Sequence, residues 1–313
     1  MKINWVISTG FRNWAIHELS KTYSVGLKTH GFTSFFSEIP LSRRQIRTFK
    51  GWLYLPKADI GMLMHQDLGQ SLFLKGKLKS FKKSVVRYTH HNKEFSNYID
   101  MLRSVDLVIV ENTYNFKHFI DEGIAAEKIL LMPYPIDPKK FYRDDSKKPN
   151  RDVILVSNFY LRKRPDLVHR VVKANPDISF TLYGKNWENY SDYSNFASSP
   201  NLQILRFNWE NYPNVLKSHK IFLSLSDLES GPVPLLEALS SGLQAVVTDI
   251  GTARDISPSN THLIPVDPPI EQVSNKIRKA LDSNFQLIDN FEQFTECYQI
   301  QILAKRLSEL FIN

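Results

Sequence analysis

Residues 226–252 read Ser-Asp-Leu-Glu-Ser-Gly-Pro-Val-Pro-Leu-Leu-Glu-Ala-Leu-Ser-Ser-Gly-Leu-Gln-Ala-Val-Val-Thr-Asp-Ile-Gly-Thr. The apolar run Ile221–Leu225 just ahead of them predicts a strand that ends in a loop carrying Glu229. Gly231 and Pro232 make a turn, and Pro234 suits the first turn of a helix. Glu237 falls near the start of that helix, Gly242 closes it, and Gln244–Thr248 predicts the next strand. A helix that begins here offers unpaired N–H groups and a partial positive charge, which favour a phosphate. A carboxylate beside that phosphate suits sugar hydroxyls, because its oxygens accept several hydrogen bonds at once.

The same alternation extends in both directions. Downstream of residue 151 it predicts strands at Asp152–Ser157, Ile178–Tyr183 and Leu202–Phe207, with helices at Pro165–Ala174 and Tyr212–Ser218. Two closing helices are predicted at Pro269–Asp282 and Phe291–Phe311. Upstream, strands are expected at Ile3–Ile7, Ala58–Met64, Ser84–Thr89 and Asp106–Val110, with helical stretches near Asn13–Lys28, Glu94–Arg103 and Tyr114–Glu122. Strands alternating with helices argue for parallel sheets covered on both faces. Residues 138–151, polar and flanked by prolines, read as a linker between two doubly wound α/β domains. Ligands of such sheets bind outside the carboxyl ends of the strands. His65, Asp67, His90, His91, Asn112, Asn158, Gly184 and Glu229 all stand at predicted strand ends.

Composition narrows the classes. The chain has 313 residues, 42% hydrophobic and 23% charged, with a single cysteine, Cys297. That excludes a disordered chain, an intramolecular disulfide and a cysteine-rich zinc site. The start, Met1-Lys2-Ile3-Asn4-Trp5-Val6-Ile7, is too short an apolar run for a signal peptide. No stretch reaches the ~18 apolar residues of a membrane span. A soluble, cytoplasmic chain is expected, or one peripheral on the inner face of a membrane. The formal charge is +8, from 40 basic and 32 acidic residues. It is concentrated in residues 1–150, which hold 24 basic and 14 acidic side chains. Nothing in the histidine spacing resembles a metal site, and no D-x-D falls in a suitable loop, so no metal cofactor is expected.

Two glutamates with seven residues between them, inside E-x-G-x-x-P-L-L-E-A and followed by S-G-L and T-D-x-G, resemble the signature of the retaining, group 1 family of GT-B glycosyltransferases. The resemblance covers about residues 85–311. It implies two facing Rossmann-like domains with a cleft between them: an acceptor-side domain over residues 1–140, a nucleotide-sugar domain over 151–290, and a C-terminal helix, 291–313, packed back on the first. It further implies that Glu229 approaches the donor sugar, that Glu237 binds the nucleotide ribose, and that Gly231, Pro232 and Val233 lie against the donor. Val156–Leu167 is similar to the family's diphosphate-holding strand, loop and helix, with Lys163 at the family lysine and Arg162 as the second cation. Ser157-Asn158 stands where the family often has Gly-Arg. Phe180–Lys185 resembles the strand that ends in a glycine, here Gly184, beside the nucleotide. Ile129–Phe141 resembles the link between the domains, with Tyr134-Pro135 in place of Asn-Gly. One histidine of the pair His90 and His91 is expected at the donor sugar; the residues do not decide which. The implied activity is transfer of a sugar from a nucleotide-sugar to a glycan or lipid-linked acceptor with retained anomeric configuration. The nucleotide-sugar is then a co-substrate rather than a cofactor.

His65 and Asp67 are candidates for the acceptor side. Two basic, aromatic-rich stretches, Arg43–Tyr54 and Lys75–Arg87, suit an anionic membrane surface as much as a solvated face. No RRM, helix-turn-helix or zinc pattern supports a nucleic-acid partner. A non-catalytic partner protein of the same fold, binding nucleotide-sugar without turnover, is the alternative reading. A nicotinamide-dependent oxidoreductase is disfavoured, because Ser8-Thr9-Gly10-Phe11-Arg12-Asn13 stands where a G-x-G-x-x-G would follow the first strand.

Overall fold

The structure, a computed structural model, describes residues 1–8, 15–39, 55–89, 95–137, 139–144, 146, 148–256, 261–283 and 296–312. It divides into two compact units, one of Met1–Pro135 with Glu292–Asn313 and one of Ile136–Phe291.

The first unit is built on six parallel strands. These are β1 (Lys2–Ser8), β2 (Thr33–Ile39), β3 (Ala58–Leu63), β4 (Phe81–Arg87), β5 (Leu107–Val110) and β6 (Ile129–Leu131), in the order β2-β1-β3-β4-β5-β6. Strand β1 shows why the apolar runs are continuous. Ile3, Trp5 and Ile7 join one core with Tyr23, Leu27 and Leu107, while Val6 joins the other with Leu68, Leu72, Val86 and Phe119. Successive side chains point to opposite faces, so a strand covered on both faces reads as a nearly continuous apolar run; the buried Asn4 interrupts it and donates from Nδ2 to the Pro56 carbonyl at 3.3 Å. The last helix, Glu296–Ile312, belongs to this unit, where Ile300, Leu303 and Leu307 pack beside Tyr23 and Leu27. A Cβ on Gly26 would lie 2.1 Å from Ile300 Cδ1, so the close approach of the last helix to Ala15–Lys28 uses the bare glycine backbone.

The second unit has six further parallel strands. They are β7 (Arg151–Val156), β8 (Phe180–Gly184), β9 (Leu202–Arg206), β10 (His219–Ser224), β11 (Gln244–Thr248) and β12 (Thr261–Ile264), in the order β12-β11-β10-β7-β8-β9. Leu167, Val168, Val171 and Val172 of helix Pro165–Ala174 and Val273 and Ile277 of helix Ile270–Asp282 share a core with Val153, Leu155, Ile221 and Leu223. Read from β9, the order is that of dinucleotide-binding folds, and the direction of winding reverses between β7 and β10.

The strands absent from the sequence reading, β2, β6 and β12, all lie at sheet edges. An edge strand is covered less and carries no demand for a continuous apolar run. Thr33–Ile39 and Thr261–Ile264 are accordingly half-exposed along most of their length, and β6 is only three residues long.

Candidate active site

The reversal between β7 and β10 fixes where a ligand crevice of the second unit lies, at the carboxyl ends of these two strands. The chain leaves β7 at Val156 and turns through Leu161–Lys163 before helix Pro165–Ala174. It leaves β10 at Ser224 toward Glu229. Strand adjacency therefore brings together side chains 66 and 67 residues apart. Arg162 Nη1 donates to Glu229 Oε1 at 2.7 Å, and Lys163 Nζ donates to the same oxygen. The two loops are also joined through backbone: Arg162 Nη1 donates to the Leu228 carbonyl at 2.8 Å, and the Asp227 N–H donates to the Arg162 carbonyl at 3.0 Å. Arg164, the residue that turns the loop into the helix, is left-handed at φ 53, a conformation that costs a non-glycine residue about 1 kcal/mol.

The cluster is largely withdrawn from solvent. The Glu229 side chain is 8% exposed, Lys163 16% and Arg162 27%. Burial pulls the Lys163 ammonium below its ordinary value, the Glu229 charge pushes it back up, and the neighbouring Arg162 pulls it down again. One carboxylate against two cations leaves a net positive charge in a partly desolvated site. Such a site attracts a second anion through charge-assisted hydrogen bonds.

The loop that carries Glu229 is pinned from behind. Thr252 donates to the Ser230 carbonyl twice, from its N–H at 2.8 Å and its Oγ1 at 2.9 Å. Gly251 adopts φ +55, and a Cβ there would lie 2.4 Å and 2.5 Å from the carbonyl oxygens of Ser230 and Glu229. Gly251 closes the T-D-x-G of the quoted stretch and Thr252 follows it, but nothing in the sequence marks either as a support for the Glu229 loop. Pro232 precedes helix Val233–Ser240, with Gly231 before it and Val233 buried.

Glu237, on that helix, is buried, and its Oε2 accepts a hydrogen bond from Tyr212 Oη at 2.8 Å. Burial pushes its carboxyl up to about 7, with Tyr212 and the Lys140 charge opposing. Nothing in the sequence marks Tyr212 as its partner. Its ring is held among Tyr183, Phe207 and Trp209, and only the tertiary contact brings it to Glu237. Gly184 ends β8 so close to the next loop that a Cβ would fall 1.8 Å from the Ser157 carbonyl oxygen, the same oxygen that accepts from Trp187 Nε1 at 2.8 Å.

The sequence model of the family described as glycosyl transferases group 1 matches residues 138–296, slightly more than half of the chain. This chain belongs to that family. It is 24% identical over 190 residues to the human phosphatidylinositol N-acetylglucosaminyltransferase polypeptide, covering 58% of this chain and 38% of that protein. It is 24% identical over 176 residues to the Escherichia coli O-antigen biosynthesis glycosyltransferase WbnH, covering 56% of this chain and 48% of that protein. The chain thus spans less than half the length of either relative. Among solved structures, Anabaena Alr3699/HepE in complex with UDP superposes with a TM-score of 0.71 over 99% of this chain and 100% of that one, at 13% identity. At that identity the likeness concerns the fold alone, which is the GT-B arrangement of two Rossmann-like α/β units.

In the first unit of this group 1 glycosyltransferase the winding reverses between β1 and β3. His65 stands at the carboxyl end of β3, where it caps helix Gln66–Leu74: its Nδ1 accepts from the Asp67 N–H at 3.2 Å. Burial lowers its pKa, with the Asp67 charge opposing. Asp67 Oδ1 accepts from Tyr98 Oη. These two candidates therefore stand at a switch point while serving as a helix cap and its neighbour. His90 and His91 lie outside the described residues, as does the stretch Arg43–Tyr54. The lysines of the stretch Lys75–Arg87 sit around the amino end of β4, opposite the strand ends that carry His65, whereas Arg87 closes β4 at its carboxyl end and is no surface cation, being buried and paired with Glu111 at 3.2 Å. At the amino end, Lys82 pairs with Asp59 at 2.8 Å and Lys83 with Asp106 at 3.6 Å. Among the described residues no three histidine, cysteine or acidic side chains gather in a way that would hold a metal ion, and no helix is long and apolar enough to cross a membrane.

Proposed function

We propose that this chain transfers a sugar from a UDP-sugar to a glycan or lipid-linked acceptor, with retention of anomeric configuration. The observation that carries the reading is the convergence of Arg162 and Lys163 on Glu229 at the switch point of the second unit. The donor diphosphate takes the place beside the two cations, and the cations rather than a metal carry its charge. Glu229 is then released toward the sugar, and Glu237 accepts hydrogen bonds from the ribose hydroxyls. One of His90 and His91 meets the sugar from the first unit. The choice of UDP is supported by the bound nucleotide of the Anabaena structure. The choice of acceptor class is supported by relatives named for phosphatidylinositol and for O-antigen biosynthesis.

The test is turnover of a donor panel (UDP-glucose, UDP-galactose and UDP-N-acetylglucosamine, with GDP-mannose as control), read as UDP release. The anomeric proton coupling of the product reports the stereochemistry. Release from one UDP-sugar, abolished in Lys163→Ala, is expected. UDP binding without release from any donor or acceptor would instead support a non-catalytic donor-binding partner. An inverted product would overturn retention alone.

A further inference from the structure

The carboxylate of Glu237 is gripped on one side only. Oε2 accepts from Tyr212 Oη at 2.8 Å, whereas Oε1 accepts from no group among the described residues and is not sealed from solvent. The residue as a whole is 6% exposed. A buried carboxylate kept for structure alone would have both oxygens bound, because each unmet acceptor costs free energy. One oxygen tied from behind and one left open is the geometry of a group set to meet an incoming donor.

The grip itself is rigid. Tyr212 is 1% exposed and opens helix Tyr212–Lys217. Its ring stacks on Tyr183 at 6.0 Å and meets Phe207 at 5.1 Å, Phe141 at 5.6 Å and Trp209 at 6.0 Å. Tyr183 is fixed in turn: its Oη donates to the Asn208 carbonyl at 2.8 Å and accepts from the Asn208 N–H at 3.0 Å. The end of β8 and the loop after β9 therefore set where Tyr212 Oη lies, independently of the loop that carries Glu229. Burial and the neighbouring Glu237 hold the Tyr212 phenol well above its usual value, so Oη stays a donor.

We infer that Tyr212 is a positioning residue for nucleotide binding: by tying Oε2 it holds the Glu237 carboxylate with Oε1 turned to the ribose hydroxyls. The inference rests on the reading of Glu237 as the ribose acceptor. A hydrogen bond given to a carboxylate also favours its charged form, and here it opposes the burial that pushes Glu237 up. The other charge that bears on Glu237 is Lys140, whose side chain is 66% exposed and stands 3.8 Å from Asp137.

Tyr212→Phe keeps the ring among its neighbours and removes Oη alone, so the fold should tolerate it. Two measurements test the role. In the first, the ligand-free chain is isotope-labelled at the glutamate carboxyl carbons and titrated by NMR, with the Glu237 signal identified by its loss in Glu237→Gln. Its midpoint, about 7 in the parent, should rise by about one pH unit in Tyr212→Phe, as loss of one hydrogen bond to a charged group implies. In the second, UDP and 2′-deoxy-UDP are titrated calorimetrically at pH 7 and pH 9. Tyr212→Phe should weaken UDP about fivefold more at pH 7 than at pH 9, because the charged fraction of Glu237 at pH 7 falls from about a half to about a tenth. The contrast should be smaller for 2′-deoxy-UDP, which lacks one of the hydroxyls, and absent in the Glu237→Gln background. A ring that only filled space would change UDP affinity by one factor at both pH values and leave the Glu237 titration where it was; either result overturns the assignment. The two readings fail separately. UDP affinity untouched by Glu237→Gln would remove Glu237 from the ribose, and this role with it. A Glu237-dependent preference for UDP over 2′-deoxy-UDP, with no pH-dependent loss in Tyr212→Phe, would remove this role alone.

Discussion

Replacing Glu237 with glutamine should stabilise the nucleotide-free protein at alkaline pH and do little in acid. The folded state holds a proton on this buried carboxyl up to about pH 7, whereas an unburied one releases it near 4.5. Between those values the folded chain binds more protons than the unfolded chain, so its stability falls as pH rises. At about 1.4 kcal/mol for each tenfold change in proton affinity, the full penalty above pH 7 is about 3 kcal/mol. Glutamine keeps the shape and an oxygen for Tyr212 Oη to donate to, but has nothing to ionise. The stability difference between variant and parent should therefore grow by about 2.5 kcal/mol from pH 5 to pH 8. For a unit of this size that is roughly 5–10 °C in thermal midpoint. Paired calorimetric scans of both proteins at the two pH values give the number directly. If the difference in midpoint is the same at pH 5 and pH 8, Glu237 is not a desolvated acid and the geometry around Tyr212 is wrong.

Lys163→Ala should raise the barrier to sugar transfer by ~2–4 kcal/mol, as removal of one preorganised donor does; steady-state turnover within threefold of the parent would count against its role at the diphosphate. Glu229→Gln should bind UDP at least as tightly as the parent while losing transfer, because the neutral amide no longer competes for Arg162 and Lys163; weaker UDP binding by titration would contradict that exchange. UDP affinity itself should rise from pH 6 to pH 8 as Glu237 gives up its proton to accept from the ribose, and a flat profile would remove Glu237 from the ribose site. Gly184→Ala should lower the thermal midpoint by the equivalent of ~2 kcal/mol or more, since the methyl group meets a backbone carbonyl that cannot yield easily; an unchanged midpoint would mean that the β8 end is looser than drawn.

Much of this was legible in the sequence because it is local. Leu107–Val110 and Gln244–Thr248 must be apolar throughout to lie inside a parallel sheet, so their strands announce themselves. The turn at Gly231-Pro232 and the helix that follows are written in residues a few positions apart. So is the spacing of Glu229 and Glu237, and with it the resemblance to the group 1 glycosyltransferases. The edge strands β2 and β12 were not legible, because half-exposed strands need no continuous apolar run. Strand order was the decision of the tertiary structure. No local signal says that β7 lies beside β10, yet that adjacency alone brings Arg162 and Lys163 to Glu229 across more than sixty residues. The same holds for Tyr212 on Glu237 and for Thr252 behind Ser230. Hydrogen bonds and desolvation act over a few ångströms of space, whatever the distance along the chain. Which side chains become neighbours is settled only when the sheets are assembled.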